Sequence, residues 1–340
     1  MLAIPTIVAL AYLGWCTTMP GSSRGSVRPL SDTESEVAEN LEHHVRALCQ
    51  VAPRSDTSPE GYAASAAYIR RALEERGYDV RDVQIQGGSN TQNMRTGAPS
   101  STYGVNILAT HPDMEDWSNI IVVGAHYDSY TSATPGADDN ASGVAATLEL
   151  ARAMIDRPGN QQVVFAFFAN EEPPHFKRST MGSLSVARFL RAQGATVRVM
   201  FSLEMLGFYS DEPSSQLYPP VLSWFYPDRG DFVAFVTRTE DRGLLTDTVA
   251  RWRSDIDFPS EGFAGPSWVT GVDFSDHWSF WQHDLPAIMV TDTAFFRNPH
   301  YHQQTDTPET LDYERFARVT VGIEHIITSW ANLSIGGAPE

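Results

Sequence analysis

Five short stretches of the chain carry side chains able to hold a cation or move a proton. His126-Tyr127-Asp128-Ser129 directly follows the apolar run 120–125. A histidine with a carboxylate two residues on suits a metal ligand whose second ring nitrogen is held by a neighbour, and equally a hydrogen-bonded pair without metal. In 135–143, Asp138 and Asp139 stand side by side before a helical stretch. They read either as helix caps or as a turn that lets one carboxylate bridge two cations. Glu171 and Glu172 follow the apolar run 163–168. Their repulsion would be offset by a cation, one ligating it and the other facing the substrate water; the plain alternative is an exposed acidic loop. Glu204 lies in an apolar run with no Lys or Arg within five residues. An unpaired carboxylate there costs on the order of several kcal/mol, so it needs a metal or a basic partner. Asn298-Pro299-His300-Tyr301-His302 supplies a second histidine, with His302 preferred to His300 for the Thr305-Asp306-Thr307 that follows. Each stretch alone is ambiguous, and their shared position after apolar runs is what selects a metal centre built from His, Asp and Glu.

Those positions require a particular frame. A helix is expected from Ser31 with Val37, Leu41, Val45 and Leu48 on one face, another over 59–77, and a strand over 78–85. Residues 86–101 read as a polar, Gly-rich hairpin or loop. From Tyr103 the pattern alternates: strands at 105–110, 120–125, 162–168, 197–205 and 287–291, helices at 143–155 and 181–192, and a closing helix over 309–330. Continuous apolar strands alternating with helices predict a single three-layer α/β/α domain with a mixed, mainly parallel central sheet. Ligands in such sheets bind outside the carboxyl ends of the strands, where the polar clusters fall.

The formal net charge of −18 excludes a nucleic-acid partner, which needs a basic face. Two cysteines, Cys16 and Cys49, exclude a disulfide framework and a cysteine-rich zinc module, and Cys49 reads as a small core residue. Residues 1–15 are apolar and uncharged, so 1–16 is expected to be a signal peptide or membrane-anchor-like segment, 17–30 a linker, and 31–335 the catalytic domain. This implies export to the periplasm, cell envelope or exterior, with membrane attachment only through that first segment. The large polar residues set aside are His277, read as structural, and His43, His44, His111, His175, His283 and His325, read as structural or surface. Trp278 and Trp281 read as core or pocket wall.

The motifs GAHYDS, PGADDNASG, NEEPP, SLEMLG, SDHWSFW and NPHYHQQTDTPETLDY, in this order from about Val105 to Leu311, resemble the di-zinc exopeptidases of clan MH. That group includes bacterial leucyl-type aminopeptidases, glutamate carboxypeptidases and glutaminyl cyclases. The resemblance implies two zinc ions, with His126 on one, Asp139 bridging both, Glu172 and His302 completing one and Glu204 the other. It implies Glu171 as general base, Asp128 as partner of His126, Tyr301 as a donor to the tetrahedral intermediate, and a cis peptide between Asp139 and Asn140. A peptide would be shortened from its free N-terminus. The sequence departs from many aminopeptidases of the group in having Glu204 where they have Asp. It also has a longer segment over 173–180, expected to line the substrate pocket. Three other readings stand beside this one: a glutaminyl cyclase, a carboxypeptidase for acidic residues using Arg178 or Arg297, and a metal-free receptor-like binding module.

Overall fold

The β-branched and aromatic runs form the centre of the molecule, as their preference for a pleated, buried surface demands. A computed structural model describes residues 3–331 other than 24, 26–27, 56, 86–103, 132 and 158. The polar loop expected at 86–101 lies outside the described residues. Eight strands make one sheet: β1 (Asp79–Val83), β2 (Asn106–Thr110), β3 (Ile120–His126), β4 (Val163–Phe168), β5 (Val197–Glu204), β6 (Val233–Arg238), β7 (Ser260–Gly265) and β8 (Ala287–Thr291). Their order is β1-β2-β4-β3-β5-β8-β6-β7. The central run β4-β3-β5-β8 is parallel, β1 and β2 are antiparallel additions at one edge, and β6 runs antiparallel to β8 but parallel to β7. The sheet is thus mixed and mainly parallel, as expected.

Alternate side chains of each strand enter two apolar layers. Ile121, Val123, Phe165, Phe167, Phe201, Leu203 and Val290 face one, with helices α2 (Asp32–Gln50), α3 (Pro59–Glu74), α4 (Gly143–Met154), α6 (Arg242–Asp255) and α8 (Tyr313–Ala331) packed over them. Val122, Val164, Ala166, Phe168, Met200 and Ala287 face the other, under α5 (Gly182–Ala192), the short α7 (His277–Trp281) and the end of α1 (Ala3–Thr17). The three-layer arrangement follows.

Helix α2 starts where its cap predicts. The Ser31 hydroxyl accepts the Glu34 amide at 3.2 Å, and the Glu34 carboxylate accepts the Ser31 amide at 2.8 Å. Val37, Leu41, Val45 and Leu48 are all buried. The closing helix begins at Tyr313, later than expected, because Pro308–Thr310 forms a separate 3₁₀ turn ending in the extended Leu311. Helix α1 lies against the β7 edge: Cys16 is buried, and the Arg242 guanidinium stacks 4.5 Å from the Trp15 ring centre. Among the described residues no helix is long and apolar enough to cross a membrane.

Candidate metal centre

Strand β3 ends at His126, β4 runs into Glu171 and Glu172 after Phe168, and β5 ends at Glu204. These three parallel neighbours therefore deliver their side chains to one edge of the sheet. Asp139 comes from the turn before α4, where the Asp139–Asn140 peptide is cis, as the resemblance implies. His302 comes from the loop before α8. Among the described residues two sets of groups lie close enough to hold a cation: His126, Asp139 and Glu204, and Asp139, Glu172 and His302. They share Asp139. His126 Nε2 is 3.5 Å from Asp139 Oδ1 and 3.3 Å from Glu204 Oε2. His302 Nε2 is 3.1 Å from Asp139 Oδ2 and 3.3 Å from Glu172 Oε2. His300 turns aside, its Nδ1 2.9 Å from the Thr305 hydroxyl.

Electrostatics describe a site crowded with acid. Burial pushes Glu171 well above the ordinary carboxylate range, with Glu204 and Glu172 adding to it. Burial and Asp139 raise Glu172 to about 8. Burial opposes charge on both histidines, but the surrounding carboxylates outweigh it, raising His126 and taking His302 to about 10. Both His126 nitrogens, Asp139 Oδ2 and Glu172 Oε1 are buried without a hydrogen-bond partner among the described residues. Buried polar atoms left in this way, on imidazole and carboxylate donors, fit divalent cations, and the donor set suits zinc.

Backbone contacts fix the ligand-bearing turns. Asp128 lies 3.5 Å from His126 Nδ1 and accepts the amides of Glu171 and Glu172 at 3.1 and 3.0 Å, so one carboxylate orients both β3 and β4 ends. Asp306 accepts the amides of Asp138 and Asp139 at 2.8 and 3.1 Å. Asn140 ties the turn to β5, donating to the Leu203 carbonyl at 2.9 Å. Ser275 donates to Glu204 Oε2 at 2.7 Å. Arg54, fully buried, donates to the carbonyls of Leu48, Tyr127, Pro135 and Gly136 at 2.8–3.1 Å. Gly136 has φ +66°, and a Cβ there would stand 2.5 Å from the Asp139 carbonyl oxygen, so this turn admits only glycine. Sequence reasoning missed Arg54, Ser275 and the holding role of Asp306. The first sits in a Pro- and Ser-rich turn that carries no metal-like signal; Asp306 was visible only as context for His302.

Tyr301 stacks on His302 at 3.8 Å between ring centres, and burial together with Asp139 and Glu172 pushes its phenol far up, keeping the hydroxyl protonated. Tyr301 and Glu204 also border an open apolar cavity walled by Leu222, Phe232, Phe263, Phe274, Phe295 and Met289 among others. Residues 173–180, expected to line the substrate pocket, are not among those that wall this cavity. They touch that wall, with Phe176 edge-on to Phe274 at 5.9 Å between ring centres and Lys177 paired to Asp273 at 2.6 Å. Arg297 is buried against Tyr209 and Phe232 and donates to Gln216 at 2.8 Å, turned away from the ligands, and Arg178 is exposed. His277 is structural, its ring bonded to the Val272 carbonyl at 2.8 Å.

Comparison with known proteins agrees with this geometry. The uncharacterized protein YfbL of Escherichia coli strain K12 is 39% identical over 323 residues, covering 92% of this chain and 91% of its own length. A probable leucine aminopeptidase of Trichophyton verrucosum is 29% identical over 237 residues, 64% of this chain and 55% of its own. The crystal structure of LapB from Legionella pneumophila superposes with a TM-score of 0.67 at 17% identity, covering 97% of this chain and 81% of that one, which shows a shared fold. The profile of peptidase family M28 matches residues 106–327, a span holding all of the ligand candidates, Glu171 and Tyr301. The chain belongs to peptidase family M28.

Proposed function

We propose that the protein is an aminopeptidase that removes the N-terminal residue of peptides at a centre of two zinc ions. One observation carries this reading: two ligand sets meet at the single carboxylate Asp139. His126 and Glu204 would complete one ion's ligands, and Glu172 and His302 the other's. Bound there, zinc would supply a Lewis acid for the scissile carbonyl and a water of near-neutral pKa. Glu171, 4.0 Å from His126 Nε2 and outside both sets, takes the proton of the attacking water and passes it to the leaving amine. Asp128 fixes its backbone by accepting the Glu171 amide at 3.1 Å. The protonated Tyr301 hydroxyl donates to the oxyanion that forms. A free substrate amine at the centre restricts cleavage to chain ends, and the apolar cavity beside Glu204 and Tyr301 takes the side chain of the terminal residue.

Leucine aminopeptidases among the relatives support this reading. The full ligand set speaks against a receptor-like module, and the second set speaks against a glutaminyl cyclase working with one zinc. The positions of Arg178 and Arg297 leave a carboxypeptidase without a group for its substrate's carboxylate. Export is part of the proposal, resting on the uncharged residues 1–15; recovery of the protein in a periplasmic or culture-supernatant fraction tests it.

The reaction is tested by incubating the purified enzyme with a free-amine peptide, its N-acetylated copy and a peptide beginning with glutamine, followed by mass spectrometry. Stepwise shortening of the free-amine peptides alone, stopped by a chelator, is expected. Loss of ammonia from the glutamine peptide without shortening would make the chain a cyclase, and trimming from the C-terminus would overturn the substrate assignment.

A further inference from the structure

The two histidines of the centre are held in unlike ways. His126 is fully buried and has the Asp128 carboxylate 3.5 Å from its second ring nitrogen. A ligating imidazole ordinarily needs such a partner, because the metal bond alone does not fix the ring's rotation. His302 lacks one: its Nε2 faces Asp139 and Glu172, and among the described residues nothing bonds its Nδ1. Its side chain is 20% exposed, and it sits in a loop at φ +58° rather than at a strand end. Such a residue is free to swing unless packing prevents it.

Packing is what the structure provides. Tyr130 lies parallel to the His302 ring, with centres 3.7 Å apart and planes inclined by 7°. Tyr301 lies on it at 3.8 Å and 18°. Two parallel rings this close to one imidazole can only occupy its opposite faces, so His302 is clamped between them. Tyr130 is four residues beyond His126 on the same strand-end loop, which links the ends of both ligand sets. Its hydroxyl makes no hydrogen bond among the described residues, so the contact is made by the ring alone.

We propose that Tyr130 is a positioning residue for the Asp139–Glu172–His302 ligand set, its ring clamping His302 against Tyr301 in place of a hydrogen-bond acceptor. The inference rests on the two-zinc reading above. It separates ring from hydroxyl, which gives a direct test. Wild type, Y130F and Y130A are dialysed against graded zinc buffers, metal content is measured by elemental mass spectrometry, and the melting temperature of each metal-stripped protein is recorded. Y130F is expected to hold two zinc ions as wild type does. Y130A is expected to keep one ion and bind the other roughly tenfold more weakly, the lower end of the effect of removing a group that orients a metal ligand. The stripped proteins should melt together. Y130A binding both ions like a two-zinc wild type overturns the proposal alone. So does Y130F failing alongside Y130A, which would make the hydroxyl the working group, or a lowered melting temperature of stripped Y130A, which would make the ring ordinary packing. Wild type holding at most one zinc removes the two-metal reading and this proposal with it.

Discussion

The carboxyl edge of β4-β3-β5 and the wing formed by β8, β6 and β7 meet at Glu204 and Tyr301, yet they are built on opposite principles. At the edge, charged groups are buried and each ligand-bearing turn is tied down by backbone hydrogen bonds, from Asp128, Asp306, Asn140 and Arg54. In the wing, aromatic and aliphatic side chains surround an open cavity and few polar groups reach it. A site that moves protons requires fixed positions, since a misplacement of about 1 Å costs on the order of a hundredfold. A pocket that sorts side chains requires only shape and dryness. The division teaches that changes at the edge should act on turnover and folding, and changes in the wing on selectivity.

The largest effect that this division predicts is at Glu171. E171Q should lower kcat by roughly 10²–10⁴-fold with zinc content unchanged, measured by steady-state kinetics and metal analysis; near-wild-type turnover would remove it as the base. Next is Arg54. R54M strips the donors from four carbonyls, three of them in buried contacts, and unmet acceptors at ~1–3 kcal/mol each should cost about 3–5 kcal/mol in urea unfolding. A neutral R54M would mean that the edge is held by other means. In the wing, F274A should lower kcat/KM for bulky apolar N-terminal residues roughly tenfold while leaving alanine substrates nearly unchanged. An equal loss on both would collapse the distinction between the two regions.

The smallest effect lies away from both. Glu34 is held at about 2 by the Arg28 guanidinium, its own burial opposing this. A depressed folded-state pKa stabilises the fold above the ordinary glutamate value, and that stability is lost as pH falls through about 2. E34Q should therefore melt below wild type at pH 7, by about 1 kcal/mol for a cap contact, with the gap closing as pH drops from 4.5 towards 2 and activity at pH 7 unchanged.

The same two regions differ in how legible they are in sequence. At the edge, IIVVGAH and VVFAFF announce buried strands, and a histidine or acid directly after such a run stands out because water-loving groups are expensive there. The wing gives no such contrast. β7 reads SEGFAG, with two glycines and a glutamate that resemble a turn, and it becomes a strand only through pairing with β6. The cavity walls come from segments far apart in the chain, which no local pattern links. Arg54 was invisible for a different reason: its partners are carbonyl groups, and backbone acceptors leave no trace in residue identity.

That arginine bears on when the centre is assembled. Its charge is spent on carbonyl groups of the turns, yet burial, which raises Asp139, is outweighed by His302, His126 and, least of these, Arg54, so that Asp139 lies below the ordinary carboxylate range. Small zinc modules bury too little apolar surface to fold alone and stay unfolded until metal arrives. Here the polypeptide carries its own positive charge into the nest of acids, and the eight-stranded core does not depend on the ligands for burial. The expected order of biogenesis is folding first and loading afterwards, and a cooperative melt of the metal-stripped protein would bear it out, whereas an unfolded stripped chain would overturn it.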